Sequence, residues 1–337
     1  MKIIVPMAGM GKRMRPHTLT IPKPLIPIAG KPIVQRLVEE IAKVSASKIE
    51  EIAFIIGDFG DEVEQQLIGI AQKLGAVGKI YYQEEALGTA HAIYCAEPSL
   101  NGEVVVAFAD TLFKADFKID NSTEASIWVQ KVADPSAFGV VKVNDQNIIT
   151  DFIEKPQSFV SNLAIIGIYY FKQAEVLRKE LKYLIDNEVR VNGEYQLTDA
   201  LENMKNNGVQ FVPGEIIEWM DCGNKDATVH TNQRILEYHK DDELISSTAK
   251  IENSIIIPPC FVGENVTIKD AIIGPHVSIG RNSTVERAIV SNSIVQQNAM
   301  LKSITITNSM IGNHAYVKDV TVEINVGDFT QIDFDIH

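Results

Sequence analysis

With 337 residues, 44 acidic against 31 basic side chains and a formal net charge of −13, the chain is long enough for two domains with separate cores. It is also too acidic overall for nucleic acid or an anionic bilayer to be its partner. Its 45% hydrophobic content is ordinary for a soluble protein, no apolar run approaches the roughly 20 residues of a membrane span, and Cys95, Cys222 and Cys260 are scattered without disulfide or zinc-type spacing. No signal pattern follows Met1, so a cytoplasmic protein is expected.

KIIVPM (2–7) reads as a buried strand, and PIVQRLVEEIAKV (32–44) sets Ile33, Leu37, Ile41 and Val44 at helical spacing. IEEIAFIIG (49–57) is a second strand. DEVEQQLIGIAQKLG (61–75) is a helix with an acidic start and a glycine stop. KIYYQ (79–83), TAHAIYCA (89–96) and EVVVAFAD (103–110) continue as strand, helix and a fourth strand ending on Asp110. This alternation predicts an α/β domain, a Rossmann-like, mostly parallel mixed sheet sandwiched by helices, with ligands at the carboxyl ends of its strands.

GVVKVNDQNIITDFIEK (139–155) then reads as a hairpin turning at Asn144–Asn147, and SNLAIIGIYYF (161–171) as a strand. Helices are predicted over 174–187, 196–207 and 225–240. VQFVPGEIIEWMD (209–221) returns to the sheet between the last two, and 241–250 is a polar connector. Beyond residue 250 small apolar residues recur in steps of six, from Val262 to Ile268, Ile273 to Ile279 to Val285, and Ile311 to Val317. One inward residue per six is the pattern of a parallel β-helix, here with irregular turns because two runs fall out of phase. An irregular β-sandwich is the alternative. The expected domains are 1–240 and 250–337, the second a left-handed β-helix suited to contacts between subunits.

The chemistry is concentrated in 5–32, VPMAGMGKRMRPHTLTIPKPLIPIAGKP, where cations cluster inside an acidic chain. Gly9-Met10-Gly11 after a strand is a truncated dinucleotide fingerprint with no helix beginning there, and it is not a Walker loop. What it permits is a loop whose backbone N–H groups surround phosphate oxygens, with Arg13 as a forked partner and Lys23 as a point charge.

That string resembles the G-x-G-x-R-x-x-P-x-T…P-K-P-L motif of the sugar-1-phosphate nucleotidylyltransferases, and its Ala8-Gly9-Met10-Gly11 form is similar to the UTP– and dTTP–glucose-1-phosphate branches. Lys12 departs from the family's usual threonine. The resemblance continues in LGTAHA (87–92), FAD (108–110), FGVV (138–141), EKP (154–156), SNLAIIGIY (161–169), GEYQLTDAL (193–201) and WMDCG (219–223), in family order. It covers 1 to about 240, with the tail similar to the β-helix many members append.

The resemblance implies attack of a sugar-1-phosphate oxygen on the α-phosphorus of a nucleoside triphosphate, with pyrophosphate leaving. A phosphate monoester is largely dianionic at neutral pH, its second pKa being about 6, so no general base is needed. Alignment and charge neutralisation supply the catalysis. Asp110 and Asp221 match the family's metal-binding aspartates and imply Mg²⁺. Arg13 and Lys12 would hold the departing phosphates, and Lys23 would bridge the α-phosphate and the incoming phosphate. Ala8, Gly9, Gly11, Gly88 and Thr89 would line the nucleotide. Lys155 would anchor the sugar phosphate, Glu154 and Glu194 would accept sugar hydroxyls, and the Gly139 backbone would touch the ring.

Gln83 stands at the family position facing the nucleobase. A carboxamide complements uracil or thymine better than guanine, which prefers a carboxylate, and excludes adenine less well. The implied partners are therefore a pyrimidine triphosphate and a sugar 1-phosphate, with glucose 1-phosphate foremost, and a homo-oligomer. Alternatives are a mannose-1-phosphate guanylyltransferase, a non-catalytic regulatory subunit that binds sugar nucleotide, and an acyltransferase using the tail. His17 and His91 read as structural, Trp219 as packing, and Cys222 as having no nucleophilic task. His276 and His314 lack an acyl-acceptor context.

Overall fold

The computed structural model describes residues 1–116, 118–120 and 122–333. These form two compact units. Unit one comprises Met1–Gly9 and Leu37–Trp219, and unit two comprises Met10–Arg36 and Met220–His337. The cation-rich loop therefore belongs to the unit that contains the tail.

Unit one is built on a nine-stranded sheet. Val104–Ala107, Lys2–Pro6, Glu51–Ile56 and Val77–Tyr82 lie side by side and parallel. Their β-branched residues point alternately to two covered faces, so Ile3, Ile4, Val5 and residues 52–56 are all buried. On one face Ile4, Ala53 and Ile55 share a core with helices α3 (Thr89–Tyr94), α4 (Ala174–Asp186) and α5 (Leu197–Asn206). The predicted apolar stripe of α4, Leu177, Leu181 and Leu184, is buried there. Helix α2 (Asp61–Lys73) buries Leu67, Ile70 and Ala71. Helix α1 (Ile33–Val44) has its first four residues assigned to unit two and the rest to unit one.

Leu163–Phe171 adds antiparallel beside Val104–Ala107, and the predicted hairpin, Val140–Val143 with Ile149–Ile153, extends the sheet. The hairpin turns as expected: Asn144 accepts from the N–H groups of Gln146 and Ile148 through Oδ1, and Asn147 takes φ 59°. Two expectations need correction. The fourth strand stops at Ala107, not Asp110, because Thr111 N–H bonds back to Phe108 O and closes a turn. The segment 209–221 is two strands: Phe211–Glu215 joins the main sheet, whereas Glu218–Asp221 is a separate strand outside it.

The tail of unit two is a left-handed parallel β-helix with three faces, of six, five and four strands. Its interior is a single column of small aliphatics, including Val262, Ile268, Ile273, Ile279, Val285, Val290, Ile311 and Val317. Burial of each contributes about 1.5–3 kcal/mol, and one inward charge, as in Ile279→Asp, would break the stack. Successive coils pair Lys250 with Thr267, Thr267 with Thr284, Thr284 with Met300 and Tyr316 with Gln331. Each coil is thus shorter than three full hexapeptides, which is why the six-residue pattern slips phase. The corners require φ > 0 and are filled by residues that tolerate it, such as Asn265, Asn282 and Asn298 in one ladder.

Helix α6 (Lys225–Tyr238) packs on this β-helix. Buried Asn232 is its hub: Oδ1 accepts from Ala29 N–H at 2.9 Å and from Ser278 Oγ at 2.7 Å. Gly30, at φ 82°, lies against the Phe261 ring so closely that a Cβ would come within 2.2 Å of it. The small hairpin of residues 27–32 is thereby seated on the β-helix.

Candidate active site

Within unit one, two groups of the expected residues assemble around the start of α5. In the first, the segments 87–90 and 194–197 bond reciprocally: Tyr195 N–H to Leu87 O, Ala90 N–H to Tyr195 O, and Leu197 N–H to Thr89 Oγ1 at 3.0 Å. Gly88 is held at φ 104°, and a Cβ there would meet Tyr195 O at 2.5 Å and Glu194 Cβ at 2.9 Å. Only glycine lets these two strips close, and their closure brings Gly88, Thr89 and Glu194 together. Gln83 joins them, its Nε2 donating to Gly88 O and to His91 Nδ1, both at 3.1 Å.

In the second group, Lys155 N–H donates to Phe138 O, and Ile165 N–H to Gly139 O at 2.8 Å. Glu154 Oε2 lies 3.1 Å from the place of a Gly139 Cβ, and Lys155 Nζ stands 3.6 Å from Glu154 Oε1. Thr198, next to Leu197, touches the same face of Gly139, at 3.5 Å. Neighbouring residues of α5 thus meet both groups. Thr198 Oγ1 and Asp199 Oδ2 are buried there without a hydrogen-bond partner, and burial raises the Asp199 pKa. Both were missed from the sequence, although TD sits inside the quoted GEYQLTDAL. Asp110 is half-buried in the turn after Ala107, and Ala8 and Gly9 follow Lys2–Pro6.

Unit two contains Gly11, Lys12, Arg13, Lys23 and Asp221. Gly11 is left-handed, φ 57°, and opens a single 3-10 turn, Lys12–Met14, where no helix was expected. Thr18 Oγ1 donates to Gly11 O at 2.8 Å, while Thr18 Cγ2 and Lys23 Cβ each lie 3.0 Å from the place of a Gly11 Cβ. The loop folds on itself around that glycine, with Lys12 and Arg13 exposed. Asp221 ends its strand as predicted, and its Oδ1 accepts from Gly223 N–H at 2.9 Å. Arg13 Nη2 (3.1 Å) and both Asp221 oxygens (3.0 and 3.1 Å) converge on the place where a Gly223 Cβ would be. Gly223 itself was not singled out from the sequence.

The histidines of the tail are engaged in packing: His276 Nε2 is 2.6 Å from Glu237 Oε1, and the His314 ring stacks on Phe329 at 4.8 Å. Trp219 packs edge-to-face on Phe138 at 5.1 Å. Cys222 is buried.

Residues 2–238 match the family profile described as nucleotidyl transferase, and residues 240–301 match the GlmU-like C-terminal hexapeptide profile. This chain belongs to the nucleotidyl transferase family. A low-salt glycan biosynthesis nucleotidyltransferase, Agl11, of Haloferax volcanii is 33% identical over 70% of the chain and 66% of its own length. A glucose-1-phosphate thymidylyltransferase of Streptomyces antibioticus is 30% identical over 80% of the chain and 74% of its own. The chain therefore spans just under two thirds of the Haloferax protein. A UDP-glucose pyrophosphorylase structure with UDP-glucose shares the fold, with TM-score 0.58 and 24% identity over 70% of the chain and 98% of its own. Among the described residues, no helix is long and apolar enough to cross a membrane.

Proposed function

We propose that this protein transfers a nucleotidyl group from dTTP or UTP to a sugar 1-phosphate, glucose 1-phosphate foremost, releasing pyrophosphate. The observation that carries the reading is the convergence of the Arg13 guanidinium and the Asp221 carboxylate on the bare face of Gly223, beside the cation-bearing loop. A guanidinium there would neutralise charge developing on departing phosphates. Residues 1–240 are taken as the catalytic domain, with 250–337 as the β-helix; 334–337 lie outside the described residues.

In unit one, Gln83 presents its carboxamide oxygen to the base N3–H, because both hydrogens of Nε2 are directed to Gly88 O and His91. Guanine would bring two adjacent donors to one acceptor, which favours the pyrimidine reading over a guanylyltransferase. Lys155 holds the sugar phosphate, Glu154 and Glu194 accept sugar hydroxyls, and the Gly139 backbone bounds the ring. The phosphate dianion attacks without a protein base.

Mg²⁺ suits the donor set. It takes one or two carboxylates with substrate oxygens and water rather than a protein cage, and among the described residues no cluster of three or more His, Cys, Asp or Glu stands ready for a metal. Asp110 and Asp221 are the residues that would hold it, Asp221 being oriented by the Gly223 N–H. When bound, the ion would neutralise the triphosphate and the leaving pyrophosphate.

A second copy of the chain is the partner favoured for the β-helix. Ile255, Ile272 and Ile289 form an exposed column on its four-stranded face, edged by Asp270 and Arg287 one coil apart. A twofold axis in this face, parallel to the strands and midway between those coils, sets Asp270 against Arg287 of the other copy twice and Ile272 against Ile289. A matrix of triphosphates against sugar 1-phosphates, read by pyrophosphate release, tests the activity. Silence across the matrix would overturn it, and release confined to GTP with mannose 1-phosphate would select the guanylyltransferase instead.

A further inference from the structure

The β-helix does more in unit two than end the chain. Its last coil, around the strand Asn325–Val326, carries the cation-rich loop. His17 is fully buried, and its Nε2 lies 2.7 Å from Asn325 Oδ1. Because Oδ1 only accepts, Nε2–H donates, and burial lowers the pKa of this ring against the opposing pull of Asn325 and Asp328. Thr20 Oγ1 donates to Asp328 Oδ2 at 2.5 Å. Asp328 is itself fixed, accepting from the Asn313 N–H at 2.7 Å and from Asn313 Nδ2 at 3.0 Å. Between these anchors Gly327 presents a bare backbone to Pro16, where a Cβ would come within 2.9 Å of the proline ring.

The same coil region also reaches the other half of the Arg13–Asp221 arrangement. Lys225, which opens α6 two residues after Gly223, donates to Asn308 O at 2.9 Å and pairs with Glu323. Arg13 is four residues from His17 along the loop. Fixing residues 16–20 on one side and residue 225 on the other limits the positions Arg13 and Asp221 can take. None of Asn325, Gly327 and Asp328 lies in a quoted motif, and all fall beyond the hexapeptide match that ends at 301.

We propose that the last coil of the β-helix is a positioning element for the triphosphate grip, with Asn325 and Asp328 acting on phosphate through His17 and Thr20. The proposal rests on the reading of the loop as a polyphosphate clamp. Loosening the coil leaves the base and sugar-phosphate groups of unit one intact, so it weakens the hold on phosphate selectively.

The test uses the full chain with Asn325→Ala and Thr20→Val, each a small deletion at the contact, and Asn282→Ala on a distant coil as control. Binding of inorganic tripolyphosphate in magnesium buffer is measured by calorimetry alongside steady-state turnover and melting temperature. The expected result is a five- to twentyfold weaker tripolyphosphate Kd in both contact variants, and a matching rise in KM for the triphosphate. KM for the sugar 1-phosphate and the melting temperature should stay near those of Asn282→Ala. Unchanged tripolyphosphate binding, no binding by the unsubstituted protein, or an equal rise in both KM values would overturn the proposal. The expected weakening of tripolyphosphate binding in both contact variants, together with silence in the whole substrate matrix, would instead count against the assigned reaction and leave the anchoring role supported.

Discussion

The Gln83 carboxamide is oriented by His91: Nε2 donates to His91 Nδ1 at 3.1 Å, so the imidazole must be neutral and protonated on Nε2. Burial lowers the His91 pKa, Glu85 opposes this and Arg190 adds to it. The neutral ring therefore persists at and above the ordinary value of 6.5, and is lost only as pH falls through the lowered value. Once protonated, Nδ1 becomes a donor facing a donor, and Gln83 loses its support. KM for dTTP or UTP should be flat from pH 8 to 7 and rise below 6.5, and His91→Asn, which retains an acceptor that does not titrate, should flatten the rise. Steady-state KM profiles of the two proteins decide this; identical profiles would remove His91 from base recognition.

The Gly88 position makes a sharper demand. Any Cβ there combines φ 104° with a 2.5 Å approach to Tyr195 O, so Gly88→Ala must separate the strips that hold Thr89 and Glu194. Left-handed strain alone costs about 1–3 kcal/mol, and the clash adds to it. A fall in melting temperature of several degrees is expected, together with at least a tenfold rise in KM for the triphosphate, measured by thermal unfolding and steady-state kinetics. A variant that melts normally and binds nucleotide normally would show that the strips do not need to close.

The sheet, its helices and the Asn144–Asn147 hairpin were legible because burial imposes a two- or 3.6-residue period that the residues display directly. The β-helix was legible as a six-residue step, but its shortened coils were not. The phase slip is absorbed at corner residues such as Asp270, Arg287 and Ser303, whose positive φ no local composition demands. In unit one, the meeting of Gly88 with Glu194 depends on a tertiary contact between residues more than a hundred apart, and the motif resemblance named both without showing why. Asn325 and Asp328 carried no signal at all, because their role exists only where the last coil meets residues 16–20. Asp110 was displaced from a strand end to a turn since Thr111 N–H closes on Phe108 O, a bond invisible in an apolar run.

The Arg13–Asp221 arrangement can be probed without removing either group. Gly223→Ala inserts a methyl about 3 Å from Arg13 Nη2 and from both Asp221 oxygens. Gly223 has no positive φ among the residues that do, so alanine costs the backbone little and the effect falls on the two charges. Turnover should fall at least about a hundredfold, as when a transition-state donor is lost, with the melting temperature nearly unchanged. Asp110→Ala and Asp221→Ala should each nearly abolish turnover while leaving the fold intact. Pyrophosphate release across a magnesium titration measures all three, and an active Asp221→Ala protein would show that the carboxylate is misassigned.

The exposed isoleucine column gives the last expectation. Ile272 lies 37% exposed between Ile255 at 60% and Ile289 at 49%, so a glutamate there remains solvated in a single chain and threatens only an assembled one. In the twofold arrangement it would sit among the isoleucines of the other copy and beside its own Asp270, where a desolvated carboxylate is costly. Ile272→Glu should therefore shift the protein from dimer to monomer in light scattering while the melting of the isolated chain changes little. Asp270→Arg should weaken the dimer by setting like charges together, and Asp270→Arg with Arg287→Asp should restore it. Asp270 and Arg287 are also neighbours on successive coils of one chain, so restoration of the dimer in light scattering counts for a paired interface when the melting temperature of the single and double exchanges is the same. An unsubstituted protein that is monomeric at all accessible concentrations, or a double exchange no better than the single, would sink the arrangement.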